Sequence, residues 1–495
     1  MKDNTIFGGR VSFPRKIRYA LGGACDSLPY ALFYTYFMLY LTDVAGINSV
    51  IAGIIAGAAA FMDGFIDPTL GIYSDNLYRK TGTRRTAMIQ GLIPLCIVTI
   101  LLFAPINFGN TVTIIWYVII SLGFVTCYSL LTMNFVAMGG EMTDNYNERN
   151  MMRLIVSLGS PIWNYIGKGG PAIVENMFPD MDLKPRWFIV AIVCTLVYLV
   201  FTIAVVTMAK SAKQVKEMRA RGEVDIMYAA EDESAAEEEE IAKIDLFKNL
   251  KSALSLKALR SQVIMVLCFS MANGFVYALI AYVLDYTVGL TAAQKLVFWG
   301  AASVTNWIAL FLGTFLANTF GKKLVFVGGF GFAALCCLVF LITGMETLTK
   351  ACIFIIAWTL VETPFWQFYC TNGYEIADLD EFAFGKRRTS MILSIASFVL
   401  KLGPTLSLLT TGTLLALIGY VEGGVEQSAE TIRGLHLYIT ILPTVFLGCG
   451  AIAFAKYPIN KNNHAALVKA LEAKKKGEAY STDGFRELLP ADYQE

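Results

Sequence analysis

Between Trp187 and Met208 the chain runs for 22 residues without an Asp, Glu, Lys or Arg. As an α-helix that stretch is about 33 Å long at roughly 1.5 Å per residue, the thickness of a bilayer's hydrocarbon core. A large soluble core would need such a run once or twice. Here comparable segments recur twelve times, at 19–41, 50–74, 87–105, 112–139, 154–175, 187–209, 262–285, 294–318, 323–344, 350–377, 389–420 and 433–457. Charged residues make up only 16% of the chain, against about 25% in soluble domains. The two-residue alternation of a membrane β-barrel is missing, which leaves helices as the spanning structure. The expected class is an all-α membrane protein.

Lys and Arg set the expected orientation. Of the 40, 33 fall in the segments on the side of the N terminus, and four (Lys184, Arg186, Lys350 and Arg433) fall in loops on the other. Both termini are therefore expected in the cytoplasm, with the protein in the inner (cytoplasmic) membrane. The 18 residues before the first span lack the short apolar run and cleavage site of a signal peptide. Residues 210–260 carry the acidic run Ala229–Ile241 and divide six spans from six more. The expected organisation is a cytoplasmic N terminus (1–18), a six-helix bundle (19–209), a solvated cytoplasmic linker (210–260), a second six-helix bundle (261–457) and a cytoplasmic tail (458–495). Within the tail, His464–Lys476 reads as a basic amphipathic helix, solvated or resting on a surface.

Several chemistries are poorly served by this composition. All ten cysteines lie inside spans, and Cys336 and Cys337 lack metal-ligand spacing or partner histidines. His436 and His464 are the only histidines, and no nucleophile–base arrangement can be assembled at membrane depth. No enzyme activity, metal or cofactor is expected. A net charge of +1 gives no reason to expect nucleic acid as a partner.

The informative residues are ionisable groups inside spans, each costing about 2.5–3.5 kcal/mol at the membrane centre on insertion scales. Asp63 and Asp67 lie four apart in the second span, on one helix face. Two carboxylates so close repel, and they are expected to keep a proton or bind a cation such as Na+ or Li+. The alternative is a structural pair facing a basic residue on another helix. Lys401 lies deep in the eleventh span, too far from either end to snorkel. Asp63 or Asp67 is its natural partner, either in an ion pair that loosens when a cation binds or in a static salt bridge. Asp26 is a third carboxylate, in the first span. On the cytoplasmic side, Gly71-x-x-x-Asp75-x-x-x-Arg79-x-x-Gly82-x-Arg84-Arg85 links spans two and three. With Arg149 after the fourth span, Asp75, Arg79 and Arg84 read as a cytoplasmic gate and positive-inside anchor.

Together these segments resemble the glycoside–pentoside–hexuronide:cation symporter family, and the melibiose permeases within it. The matching pieces are Tyr40-Leu41-Thr42-Asp43-Val44, Asp63-Gly64-Phe65-Ile66-Asp67-Pro68, Glu148-Arg149, Val399-Leu400-Lys401-Leu402-Gly403, Ile418-Gly419-Tyr420-Val421, Val425-Glu426-Gln427-Ser428 and Leu442-Pro443-Thr444, in order over most of the chain. The resemblance implies a major facilitator fold of twelve transmembrane helices in two six-helix bundles, working by alternating access as a monomer. It implies cation sites at Asp63 and Asp67, a coupling lysine at Lys401, and sugar contacts at Tyr34 and Trp366. This chain departs from the melibiose permeases where they hold galactosides. Their first-helix aspartate falls on Ser27, one residue after Asp26, their fourth-helix aspartate and tryptophan on Thr132 and Val136, and their fifth-helix arginine on Ser157.

The expected function is cation-coupled symport, driven by Na+, Li+ or H+, of a sugar or glycoside. Asp26, Ser27, Tyr34, Thr132 and Trp366 are the candidate solute contacts, and Ser129 and Thr132 are hydroxyl ligands for cation or solute. The alternatives are a non-sugar solute on the same fold, such as an organic acid or a lipid-like molecule, and a non-transporting sensor. The cost of burying Asp63, Asp67 and Lys401 speaks against the sensor. If Lys401 couples the two fluxes, Lys401→Ala abolishes cation-driven uptake at normal protein level. Normal accumulation in that variant would defeat the assignment.

Overall fold

The computed structural model describes residues 6–7, 10–106, 108–143, 146–221, 252–385 and 388–490. Apart from a two-residue antiparallel pairing of Ile6–Phe7 with Arg10–Val11, the described residues are helices and their connections. Among the described residues, ten helices are long and apolar enough to cross a membrane. Two more complete the set of twelve: α2, Gly23–Leu39, entered through a short helix α1, Phe13–Leu21, and α6, Tyr146–Met177. In the first half the others are α3 (Ser49–Thr81), α4 (Arg85–Leu102), α5 (Asn110–Glu141) and α7 (Leu183–Val206). After the short α8, Ala212–Ala220, come α9 (Lys257–Tyr282), α10 (Ala292–Phe320), α11 (Lys322–Thr343), α12 (Leu348–Phe384), α13 (Thr389–Leu417) and α14 (Ala429–Ala455). The acidic run Ala229–Ile241 lies outside the described residues.

Each apolar segment of the sequence coincides with a helix, but charged turns lengthen some of them. α3 continues to Thr81 because Arg79 and Lys80 suit its C-terminal dipole, and Gly82 ends it in the left-handed region (φ 68°). At its other end the Asn48 side chain caps the Val50 N–H at 3.1 Å.

By contact the chain forms two compact units. The first comprises 1–233, 280–303 and 408–432, so it includes segments from both halves of the sequence. Within it α2 packs along α6 and α7, and α5 along α3 and α4. Small residues allow the close approaches: a Cβ on Gly91 would stand 2.9 Å from the Leu131 nitrogen, and one on Gly167 2.9 Å from the Leu28 carbonyl. These are the crossings expected where packing, not water expulsion, joins helices.

The second unit comprises 234–279, 304–407 and 433–495. Its core is aromatic, with Phe269 stacked on Phe365 at 3.6 Å and Phe326 and Phe330 edge-on or tilted against Phe365. The tail is part of this unit. Helix α15, Lys461–Lys476, opens with a capping box on Asn460 and Asn463. It packs on the end of α12 through His464–Asp378 (3.2 Å) and Lys475–Glu381 (2.7 Å), with Lys474 over the Phe382 ring. The chain then folds back so that Phe485 meets Phe382 edge-on at 4.9 Å, and Phe485 and Leu488 are buried. The helix expected to be solvated or to rest on a surface docks on α12 through these charged contacts, with Leu467 and Leu471 buried. Phe485→Ala removes the ring that covers Phe382 and is expected to cost about 3 kcal/mol, read as a lower melting temperature of the purified protein in detergent.

Candidate functional site

The first unit gathers most of the residues singled out in the sequence. On α2, Asp26, Tyr30 and Tyr34 recur every fourth residue and share one face. α3 brings Asp63 and Asp67, and α5 brings Tyr128, Ser129 and Thr132. Asp63 is 4% exposed, and the Ser129 hydroxyl donates to its carboxylate at 2.5 Å. The neighbouring Tyr128 turns to α2 and donates to the Asp26 carboxylate at 3.0 Å. Two successive residues of α5 thus hold carboxylates of two different helices.

Around this pair stands an aromatic wall. The Tyr30 ring lies 4.3 Å from Tyr34 and 6.4 Å from Tyr128, and Phe33 and Phe124 stack behind them at 4.8 Å. Tyr34 lies within electrostatic reach of both Asp63 and Asp67. Pro68 sits inside α3 and has no N–H to give the Gly64 carbonyl. A backbone oxygen is therefore released from the helix ladder between the two aspartates. Carboxylate, hydroxyl and carbonyl oxygens are the donor set that hard monovalent cations accept. The Thr132 hydroxyl donates back to Tyr128 O at 3.0 Å, so it faces any ligand as an acceptor. Ser27 is buried one residue on from Asp26.

Lys401 and Trp366 belong to the second unit. Lys401 is half-buried on α13, two residues before Gly403, whose missing side chain lets Ser270 of α9 approach. Trp366 is 38% exposed and edge-on to Phe365 and Tyr369. The sequence reading passed over Glu362 in the same helix, which accepts from the Tyr277 hydroxyl at 2.6 Å. An acid in the middle of the apolar run 350–377 was its signal. Tyr128 was missed too, being one tyrosine among 23 with nothing in its spacing to mark it.

At the N-terminal face of the first unit, Arg84 is the centre of the expected gate. It pairs with Asp75 at 2.6 Å and Glu141 at 2.9 Å, donates to Ser74 at 3.2 Å and lies over the Tyr78 ring. Burial alone would lower its pKa, but Glu141 and Asp75 hold it above the usual range. Arg79 is exposed on the last turn of α3. The Arg149 side chain lies outside the described residues.

A sequence model described as "MFS/sugar transport protein" matches residues 18–461. The chain belongs to that family. It is a multi-pass membrane transporter of the major facilitator superfamily, of the glycoside–pentoside–hexuronide symporter type, and not an enzyme. It is similar to the isoprimeverose transporter of Lactiplantibacillus pentosus, 23% identical over 92% of this chain and 91% of that one. It is also similar to a putative 2,3-dihydroxypropane-1-sulfonate exporter of Salmonella typhimurium, 23% identical over 94% and 97%. The inward-open xylose transporter XylE from E. coli matches with a TM-score of 0.62 at 15% identity, covering 94% of this chain and 100% of that one. That likeness establishes the fold.

Arg84→Gln leaves Asp75 and Glu141 facing each other without a cation. The transporter should lose about 1–3 kcal/mol, and Glu141→Gln in the same chain should restore part of it. A double-mutant cycle on melting temperature checks this, and strict additivity would deny the contact its role.

Proposed function

We propose that the transporter is a symporter that moves a neutral, hydroxyl-rich solute, a sugar or glycoside, together with a cation. Asp63 and Asp67, with the Ser129 hydroxyl and the released Gly64 carbonyl, bind Na+, Li+ or H+. Asp26, with the Tyr30, Tyr34 and Tyr128 rings, receives the solute: carboxylates accept from sugar hydroxyls, and flat rings cover the apolar faces of a pyranose. The observation that carries the proposal is the Tyr128–Ser129 step of α5, which joins the Asp26 carboxylate to the Asp63 carboxylate. A cation that draws Asp63 toward itself shifts Ser129, and Tyr128 moves with it, so each ligand prepares the other's site. Coupling of this kind is reciprocal and typically changes affinity about 5–150-fold.

Lys401 is the proposed coupling residue of the cycle and Trp366 a further solute contact, both in the second unit. Asp75, Arg79, Arg84 and Arg149 form the cytoplasmic gate. The positive-inside bias supports an inner-membrane protein with both termini in the cytoplasm. The Salmonella relative favours a second reading, a small sulfonate or carboxylate as cargo. Asp26 weighs against it, since a carboxylate in the solute wall repels an anion.

The test is solute uptake into cells across a panel of glycosides, pentoses, hexuronides and sulfonates, with Na+ present and absent. A neutral sugar is expected to respond. A response to anions alone would replace the sugar reading by the second one. With the responding solute, Asp63→Asn should abolish cation-stimulated accumulation while solute exchange down its gradient continues. Wild-type accumulation in that variant would remove Asp63 from the coupling site.

A further inference from the structure

The proposed cation and solute contacts leave most of a polar row in the second unit unused. Glu362 is half-buried near the middle of the apolar run 350–377. Trp358, Glu362 and Trp366 recur every fourth residue and share one face of α12. On α9, Asn273 and Tyr277 are likewise four residues apart. Two hydrogen bonds join the helices along these faces. The Tyr277 hydroxyl donates to Glu362 Oε2 at 2.6 Å, and the Trp358 indole N–H donates to Asn273 Oδ1 at 3.3 Å. Asn273, Tyr277 and Trp358 are buried, while Trp366, one turn beyond Glu362, is exposed.

Packing does not call for this acid. Phe365 of α12 already stacks on Phe269 of α9 at 3.6 Å. A glutamine at 362 would accept from Tyr277 as a glutamate does, without the insertion cost of a charge. The donors and acceptors show what the row offers instead. An indole has only an N–H to give, so Asn273 turns its carbonyl oxygen to Trp358 and its NH2 group remains a donor. A carboxylate has about four acceptor sites, and Tyr277 fills one of those on Glu362. An acceptor and a donor one turn apart suit neighbouring hydroxyls, because each hydroxyl both donates and accepts. The exposed Trp366 ring supplies a flat surface for the C–H face of a sugar.

We propose that Glu362 and Asn273 form a solute subsite of the second unit, which takes a vicinal diol of a neutral sugar and turns anionic solutes away. Tyr277 is its positioning residue, since it holds one carboxylate oxygen and so fixes where the other points. This rests on the sugar-symport reading above, in which Trp366 touches the solute, and adds the groups that read the hydroxyls beside that ring. The charge of Glu362 sets the exclusion. A hexuronide or sulfonate would bring a second charge of the same sign into the subsite.

The test uses the full-length transporter. In nanodiscs, Glu362→Cys in a chain whose ten native cysteines are replaced should react with a cationic methanethiosulfonate, which needs water at the site, and saturating isoprimeverose should slow the reaction. No reaction overturns the subsite. In cells, uptake is measured with isoprimeverose, D-xylose and methyl α-glucopyranoside. Glu362→Gln should raise KM about tenfold at unchanged Vmax, the least expected for losing a hydrogen bond to a charge. Monodeoxy analogues lacking one hydroxyl of the diol should erase most of that difference. The same variant should begin to accumulate methyl glucuronide. Tyr277→Phe, which keeps the charge, should raise KM less and add nothing on top of Glu362→Gln, and it covers the case in which Glu362→Gln misfolds. An unchanged KM in every folded variant overturns the subsite and leaves the sugar reading intact. A wild type that takes up none of the three sugars overturns the sugar reading, and the diol assignment with it.

Discussion

A carboxylate in hydrocarbon must be held by something, and this necessity organises the transporter. Asp63 is buried on α3, where its carboxylate accepts from the Ser129 hydroxyl. That requirement fixes the face of α3 that turns to α5, and it places Tyr128 against Asp26 one helix away. An apolar pair at the same positions would pack α3 on α5 equally well. It would offer the proposed cation no ligand. The insertion cost of the acids is the source of their responsiveness.

The twelve spans were legible in the sequence because oil admits no unpaired backbone, so each apolar run had to be a helix. Asp63 and Asp67 were legible for the converse reason, as charges standing where charge is expensive. The Tyr128–Asp26 bond was not, since no periodicity distinguishes a tyrosine that reaches another helix from one that lines the membrane interface. The Asp43–Tyr420 bond was hidden differently. Asp43 lies at the end of a span, where charged residues are ordinary, and its partner is 377 residues away. The docked tail helix was read as surface because its buried stripe of Leu467 and Leu471 is short, and Phe382 and Phe485 announce no pairing.

Glycine has a different use at each end of the first unit. Gly82 terminates a helix by its backbone freedom, while Gly53 and Gly412 matter for the atoms they lack. The first sets where α3 stops, and the other two set how closely α13 can lie against it.

α3 is a single helix of 33 residues, about 50 Å from end to end. Its first turn rests against Glu422, its middle carries Asp63, and its last turns carry Asp75, which grips Arg84. Asp63, the proposed cation ligand, therefore sits near the middle of one rod that is held by a side-chain contact at each end. In the proposed transport cycle a tilt of a few degrees about Asp63 would loosen one tip as it seats the other, a mechanical seesaw needing no relay of intermediate side chains.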